Sequence, residues 1–368
     1  MLVGDPDSFR SEFPVLERLA YLNAGTEGPL PRRAAQAASE RIEAELHGGR
    51  AGRAYAESIR ELAGRLREAY ARVLGCEPVE VALTGSTTDG VNTVLSGLRW
   101  SAGDQVLTSD EEHPGVLAPL GRLRRLEGVT VRVAPFERLA DAVDGRTRLV
   151  ACSHVSWVSG RVVDAAALAS TGVPVLLDGA QGVGAVPVDV RALGCAFYAG
   201  SGQKWLCGPE GSGALFVAAE RLEELSVPWP GYGSLADPSD PLESGPAQGA
   251  ARLDHGFPPG VRSAWALASL AVLEEAGLDW VHERAASLAE RLARQLEERG
   301  LRVAPRGRST LVSWEPARGA DADEEVARLR EAGLVVRSIP SRGLIRASVG
   351  AWTSPEELGR LAAAAAAR

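Results

Sequence analysis

Between residues 79 and 178 short β-like runs alternate with helical stretches, and this alternation constrains the fold more than any other feature of the chain. The runs are "VEVALT" (79–84), "DQVLTS" (104–109), "VTVRVA" (129–134), "TRLVACS" (147–153) and "VPVLLD" (173–178). Strands alternating with helices imply an α/β fold with a mostly parallel sheet covered on both faces. In such sheets the binding crevice lies beyond the carboxyl ends of the strands, where loops carry the chemistry.

Upstream, residues 31–48 and 54–74 read as helices. The second places Tyr55, Ile59, Leu62, Leu66, Tyr70 and Val73 on one 3.6-period stripe. A Pro/Gly/Ser-rich stretch at 227–250 interrupts the pattern and reads as an active-site or interface loop. Beyond about residue 263 come two long helical segments. The short strands "LRVAP", "STLVSW", "GLVVRS" and "GLIRASV" follow, then an Ala-rich helix from Ser354. A chain of 368 residues is too long for one ordinary core. We expect a large domain over 20–250 and a small α+β domain made of 1–19 and 251–368.

Charge and apolar pattern narrow the function classes. A net charge of −8 argues against nucleic acid as the main partner. No apolar run reaches membrane-spanning length, and "MLVGDPDSFRSEFP" lacks a signal-peptide core, so a cytoplasmic protein without a membrane partner is expected. Cys76, Cys152, Cys195 and Cys207 show neither C-x-x-C pairing nor clustering with histidine. They read as free thiols, and no metal site is expected.

Of the 40 basic residues that are Lys or Arg, one alone is lysine: Lys204, in "YAGSGQKWLCGPEGSGALFV". Gly200, Ser201 and Gly202 before it leave room for something bulky near the backbone. A lysine enclosed in a crevice loses its proton and attacks a carbonyl to give an imine, which arginine cannot do. Two further motifs bear on it. In "TGSTTDGVNTVL" (84–95), Ser86, Thr87 and Thr88 follow a strand and open a helix, a place that suits an anion such as phosphate; ordinary N-capping accounts for the same residues. In "LLDGAQGVGAVPVDV" (176–190), Asp178 ends an apolar strand; it points into the crevice or caps the turn. An anion site, a strand-end aspartate and a crevice lysine together are what pyridoxal 5'-phosphate requires: an anchor for its phosphate, a partner for its ring nitrogen and an amine to carry it.

The chain resembles the class V aminotransferase group of fold-type I pyridoxal-phosphate enzymes over nearly its whole length. "YLNAGTEGPLP", "TGSTTDGVN", "EEHPGVLAP", "SHVSWVSGRVVD", "DGAQ", "SGQKWLCGPEGSGALFV" and "IRASVGAWTSPEEL" occur in that family's order. The resemblance implies a fold-type I transferase, with a mostly parallel seven-stranded sheet in the large domain, working as a homodimer. It implies Lys204 as the Schiff-base lysine, Asp178 on the pyridine nitrogen, Gln181 on the phenolic oxygen and His113 stacked on the ring. Ser86, Thr87, Thr88, Ser201 and Gln203 would hold the phosphate. Arg346 would grip the substrate carboxylate, with Arg337 and Arg342 as nearby substitutes, and Asn23, Thr26 and Trp157 would complete the substrate side.

Departures from the family pattern bear on the reaction. Cysteine desulfurases carry a nucleophilic cysteine on a loop just before the arginine strand. The matching "VVRSIPSRGLIRAS" is short and has none, and no cysteine follows Cys207. Trp157 stands where desulfurases place Asn, Gln203 where they place His, and Ala196 where an acidic residue is usual. In "LDHGFPPG", Phe257 replaces a hydroxyl that often reaches the partner subunit's phosphate. "EEHPGVLAP" and "SHVSWVSG" resemble the branch of cystine and cysteine-conjugate C–S lyases, and isopenicillin N epimerase-like proteins share "KWLCGPEGSG". The expected activity is therefore C–S lysis, an α,β-elimination on cystine, cysteine or a cysteine conjugate. Alternatives are an aminotransferase, an epimerase, a persulfide-forming desulfurase or a non-catalytic protein of this fold.

Overall fold

The computed structural model describes residues 4–254, 256 and 259–367. Phe257, and with it the question of a cross-subunit phosphate contact, lies outside the described residues. The strands in chain order are β1 (Ala20–Tyr21), β2 (Val81–Thr84), β3 (Gln105–Ser109), β4 (Thr130–Ala134), β5 (Thr147–Ser153), β6 (Val175–Asp178), β7 (Phe197–Ser201), β8 (Gly213–Val217), β9 (Leu311–Trp314), β10 (Leu334–Val335), β11 (Arg337–Ile339) and β12 (Leu344–Ser348).

Strands β2 to β8 form one seven-stranded sheet in the order β2-β8-β7-β6-β5-β3-β4. Only β8 runs antiparallel to its neighbours. The five runs found between 79 and 178 are β2 to β6. The central strand β6 is buried along its whole length, and its unbroken "VLLD" is the run that a strand covered on both faces requires. The edge strand β4 is partly exposed, with Thr130 and Val133 open and Ala134 buried. Because six strands are parallel, their carboxyl ends share one edge of the sheet. Ser153 and Asp178 are direct register partners there, and Asp178 pairs with Ala199, two residues before Ser201.

Helix Thr87–Gly97 begins within three residues of β2 and packs on β7 so closely that a Cβ at Gly90 would stand 2.9 Å from the Ala199 Cβ. The helices Arg32–Gly48 and Gly52–Leu74 match the upstream expectation, and Ile59, Leu66, Tyr70 and Val73 of the stripe are buried.

Strands β11, β12 and β9 form an antiparallel sheet backed by helices Leu278–Glu297, Ala322–Glu331 and Pro355–Ala366. Trp314, Leu292, Leu329 and Leu358 are fully buried in its core. The segment "LRVAP" forms a single bridge rather than a strand, Val303 to Trp314, flanked by hydrogen bonds from the Ala304 N–H to the Ser313 carbonyl and from the Glu315 N–H to the Arg302 carbonyl. The N-terminal segment is held at both ends. Phe9 and Phe13 stack edge-on at 5.3 Å, with Trp280 at 5.5 Å from Phe9 and Trp352 at 5.2 Å from Phe13. Further on, β1 pairs in parallel with β10, and Asn23 bridges Ser348. That pairing draws residues 23–28 over the edge where β2, β6 and β7 end.

Candidate active site

The cleft at the carboxyl edge is lined by the 25–27 turn, the start of helix Thr87–Gly97, His113, Trp157, the turn after β6, the 201–204 turn, and Arg337 and Arg346. Of the residues singled out in the sequence, Ser86, Thr87, Thr88, His113, Trp157, Asp178, Gln181, Ser201, Gln203, Lys204, Thr26 and Arg346 line it. Residues about 320 positions apart in the chain meet because the β1–β10 and Asn23–Ser348 pairings fold the small sheet against the large one.

Lys204 is almost wholly buried, and burial lowers its ammonium to about 8; Asp178 opposes the shift and Arg346 adds to it. Asp178 is also buried. Its Oδ1 accepts from the Ala180 N–H at 2.9 Å, and burial holds its carboxyl above the usual range against the pull of Lys204. Gln181 donates through Nε2 to the Gly25 carbonyl (2.7 Å) and accepts from Trp205 Nε1 (2.9 Å), which fixes its carboxamide and leaves one N–H toward the cleft. His113 caps helix Pro114–Glu127 through Nδ1 and stands edge-on to Trp157 at 4.9 Å. Burial and three nearby cations, Lys204, Arg337 and Arg346, lower its imidazole to about 4, so the ring is neutral at pH 7.

Arg346 is the most demanding residue of the site. It is fully buried, its Nη1 donates to the Trp157 carbonyl at 2.7 Å, and its Nε and Nη2 have no partner among the described residues. A guanidinium buried without a counter-charge is costly unless an anion arrives to meet its fork. Burial, and Arg337 beside it, lower it to about 9. Thr87 Oγ1, Ser201 Oγ and Gln203 Oε1 are likewise buried in the cleft without partners. Orphaned hydroxyls at a helix start, an enclosed amine and an enclosed carboxylate fit pyridoxal phosphate; the orphaned guanidinium edge fits a carboxylate.

Several expectations are corrected. Asn23 does not line the cleft: its Oδ1 accepts from the hydroxyl of Thr26, which does, at 2.9 Å. Ser86 Oγ accepts from the Asp89 N–H, the capping alternative, and its O–H remains able to donate into the cleft it lines. Gly200 and Gly202 make room for protein rather than ligand, since Cβ atoms there would meet Val183 and, at Gly202, Ser212 and Tyr70. Trp157, standing where desulfurases place Asn, accepts from Arg346 on its carbonyl, and its ring lies 5.9 Å beneath the Arg337 guanidinium. The 227–250 loop contributes none of the lining residues; Leu235 and Pro246 close it into a surface turn by a bridge. Gly25 and Glu27, which the sequence offers only as part of a specificity segment over 23–28, line the cleft, as do Ala180, which was given no role, and Arg337, named only as a substitute. Glu27 had a signal, being the single acidic residue of "YLNAGTEGPLP".

The family description "Aminotransferase class-V" matches residues 21–361. The chain belongs to the class V aminotransferase family. Its fold is that of the family's solved members. It is similar, at 29% identity and a TM-score of 0.93, to a lysine-to-alanine mutant of C-DES with glycine covalently linked to its pyridoxal-phosphate cofactor; the match covers 97% of this chain and 98% of that one. A complex of the cystine C–S lyase C-DES with its product cysteine persulfide matches at 29% identity and a TM-score of 0.90, covering 96% and 99% of the two chains. Isopenicillin N epimerase of Streptomyces clavuligerus is 32% identical over 98% of each chain. A probable cysteine desulfurase of Methanothermobacter thermautotrophicus is 32% identical over 67% of this chain and 66% of its own. The family is pyridoxal-phosphate dependent, and the cleft described above has the groups to hold that cofactor. No helix among the described residues is long and apolar enough to cross a membrane.

Proposed function

We propose that this class V enzyme is a C–S lyase that performs α,β-elimination on cystine, cysteine or a cysteine conjugate. With one water consumed, the products are pyruvate, ammonia and the sulfur fragment. The observation that carries the reading is a cleft with an enclosed amine and a carboxylate receptor but no thiol: none of the four cysteines lines it. Cys207, three residues from Lys204, is fully buried, its thiol is pushed up by burial and its Sγ faces the Trp205 carbonyl. A persulfide-forming desulfurase needs a thiolate that reaches the substrate sulfur. The similarity to a cystine C–S lyase over nearly the full chain supports the same reading.

When bound, pyridoxal phosphate supplies an electron sink for the pair left behind when the α-proton of the amino acid departs. The chain's own residues do the rest. Lys204 Nζ would hold the cofactor and, once free, accept the α-proton, for which an amine titrating near 8 is suited. Asp178 would hold a protonated ring nitrogen, and Thr87 and Ser201, with Ser86, Thr88 and Gln203, would hold the phosphate. Gln181 would offer its remaining N–H to the phenolic oxygen. Neutral His113 would stack on the ring without adding charge. Arg346 would take the α-carboxylate on Nε and Nη2 while Trp157 keeps its third edge fixed. Thr26, steadied by Asn23, would bound the substrate side.

Purified protein incubated with cystine is expected to release pyruvate, and silence toward cystine, cysteine and S-conjugates alike would remove the proposal. A second reading, an amino-acid epimerase, is favoured by the end-to-end similarity to isopenicillin N epimerase; it would exchange the α-proton with solvent and form no pyruvate. The proposal includes a cytoplasmic homodimer, for which light scattering should return twice the 38.7 kDa chain mass.

A further inference from the structure

The turn that carries Trp157 is built from polar contacts. Val155 bridges Val162, and the Ser156 N–H donates to the Arg161 carbonyl at 2.8 Å, so residues 157–160 form the tip of a hairpin. The small sheet grips that tip by its carbonyls. Arg346 Nη1 reaches the Trp157 carbonyl at 2.7 Å, and its register partner Ser313 donates to the Val158 carbonyl at 2.6 Å. Ser309 donates to the Gly160 carbonyl at 2.6 Å. From the large sheet, Glu111 meets the same turn two residues beyond the end of β3. Its Oε2 accepts from the buried hydroxyls of Ser156 and Ser159, the second at 2.5 Å. Each hydroxyl accepts in turn from the turn's own backbone: Ser156 Oγ from the N–H groups of Val158 (3.2 Å) and Ser159 (3.1 Å), Ser159 Oγ from that of Arg161 (3.2 Å). With its proton committed to Glu111, each hydroxyl turns its lone pairs to those N–H groups.

We propose that Glu111 is a positioning residue for the amino-acid site: its carboxylate holds Ser156 and Ser159, they hold the turn, and the Trp157 carbonyl at the tip holds Arg346 so that Nε and Nη2 stay free for the ligand. The inference rests on Arg346 taking the α-carboxylate and adds the residue that sets where it stands. Glu111 acts through the turn and touches no ligand. It opens the stretch "EEH" (111–113), whose three side chains divide the work. Glu112 accepts from the Ser153 N–H at 3.0 Å and from its hydroxyl at 2.7 Å, which fixes the end of β5 beside Asp178. Glu111 fixes the turn that follows β5, and His113 stands edge-on to the Trp157 ring. Arg161, 2.9 Å from Glu137 and 3.4 Å from Glu111, closes the cluster. Without their acceptor, two buried hydroxyls would compete for the turn's own carbonyls and reshape it. A displaced Trp157 carbonyl would carry the guanidinium with it, and misplacements of about 1 Å in such sites cost up to about 10²-fold.

Glycine and glycinamide share an amine and differ in the carboxylate, so the ratio of their affinities for the cofactor-loaded protein, read from cofactor absorbance, isolates the carboxylate contact. Arg346→Gln should erase the preference for glycine. Glu111→Ala should lower it about tenfold, and Glu111→Gln, which keeps an oxygen acceptor, should recover most of it. In the Arg346→Gln background Glu111→Ala should change the ratio no further. General loosening of the fold would weaken both ligands alike, and removing an anion would by itself favour the carboxylate, so neither produces this result. A preference that Arg346→Gln erases and Glu111→Ala leaves intact overturns the inference while the carboxylate assignment stands. A preference that survives Arg346→Gln removes both. Should Glu111→Ala not fold, Ser159→Ala takes the same link out of the chain and should lower the ratio in the same direction; an unchanged ratio there overturns the inference. No sulfur amino acid enters the measurement, so a failure of the elimination proposal cannot be mistaken for a failure of this one.

Discussion

Arg346 and Gly25 show how a single position defines the site. Arg346 is a cation without a counter-ion, and a side chain this buried persists only when its ligand returns what burial costs. Replacing it by Gln should raise KM for the amino acid by about 10²-fold, on the order of 3 kcal/mol, with a smaller effect on kcat. Steady-state kinetics on whichever amino acid is turned over checks this, and an unchanged KM would mean that the carboxylate binds elsewhere. Gly25 sits where a Cβ would stand 2.7 Å from Ser348 Oγ, 2.8 Å from Gln181 Oε1 and 2.9 Å from Arg346 Nη2. Gly25→Ala therefore intrudes on the guanidinium edge that we propose receives the carboxylate. It should weaken amino-acid binding at least tenfold and, because Gln181 shares the contact, shift the cofactor absorbance as well, while the borohydride-stable adduct on Lys204 persists. At Lys204, substitution by Ala should abolish the borohydride-stable cofactor adduct, as intact-mass measurement would show.

At the level of elements, the site depends on turns being pressed together rather than on any one helix or strand. The 23–28 turn and the 203–207 turn meet at Gly28, whose missing side chain is what permits the contact. Gly28→Ala should destabilise the fold by about 1–3 kcal/mol in urea unfolding and also displace Lys204, since overpacking against backbone has no flexible end to yield. Strands β2, β3, β5 and β6 were legible because a strand buried on both faces needs an apolar run, and such runs stand out between polar turns. The 23–28 turn was less legible. Its role arises from β1 pairing with β10 more than 300 residues away, and no local pattern reports a partner at that distance. The glycines before Lys204 misled for the same reason. Small residues announce close approach, but only the fold says whether ligand or Tyr70 and Ser212 approach.

Across the whole molecule, buried histidines link folding to pH. His282, in helix Leu278–Glu297, is buried with neither ring nitrogen partnered among the described residues, and burial lowers it to about 4. An unfolded histidine titrates near 6.5, so between about pH 4 and 6.5 the unfolded chain binds the extra proton. Stability from this group is then complete above 6.5 and is lost as pH falls through the window. Going from pH 7 to pH 5 should cost about 2 kcal/mol that His282→Leu does not lose. Glu27 and Glu112, whose carboxyls are raised to about 7, act in the opposite sense, but they are common to both proteins and cancel in the comparison. Denaturant melts of the pair at the two pH values check this, and parallel losses in both would contradict it.

The sequence by itself determined the α/β class, the parallel strands, the family and the single lysine that we propose holds the cofactor. Each of these is written in local apolar runs, in ordered short motifs, or in the single use of a residue type with its own chemistry. Tertiary structure alone decided which polar groups are left without partners, which glycines make room for protein and which for ligand, and that Glu27 shares a cleft with Lys204. Those properties depend on which distant segments are pressed together and dried, and burial, unlike periodicity, is a property of the folded volume and not of the chain.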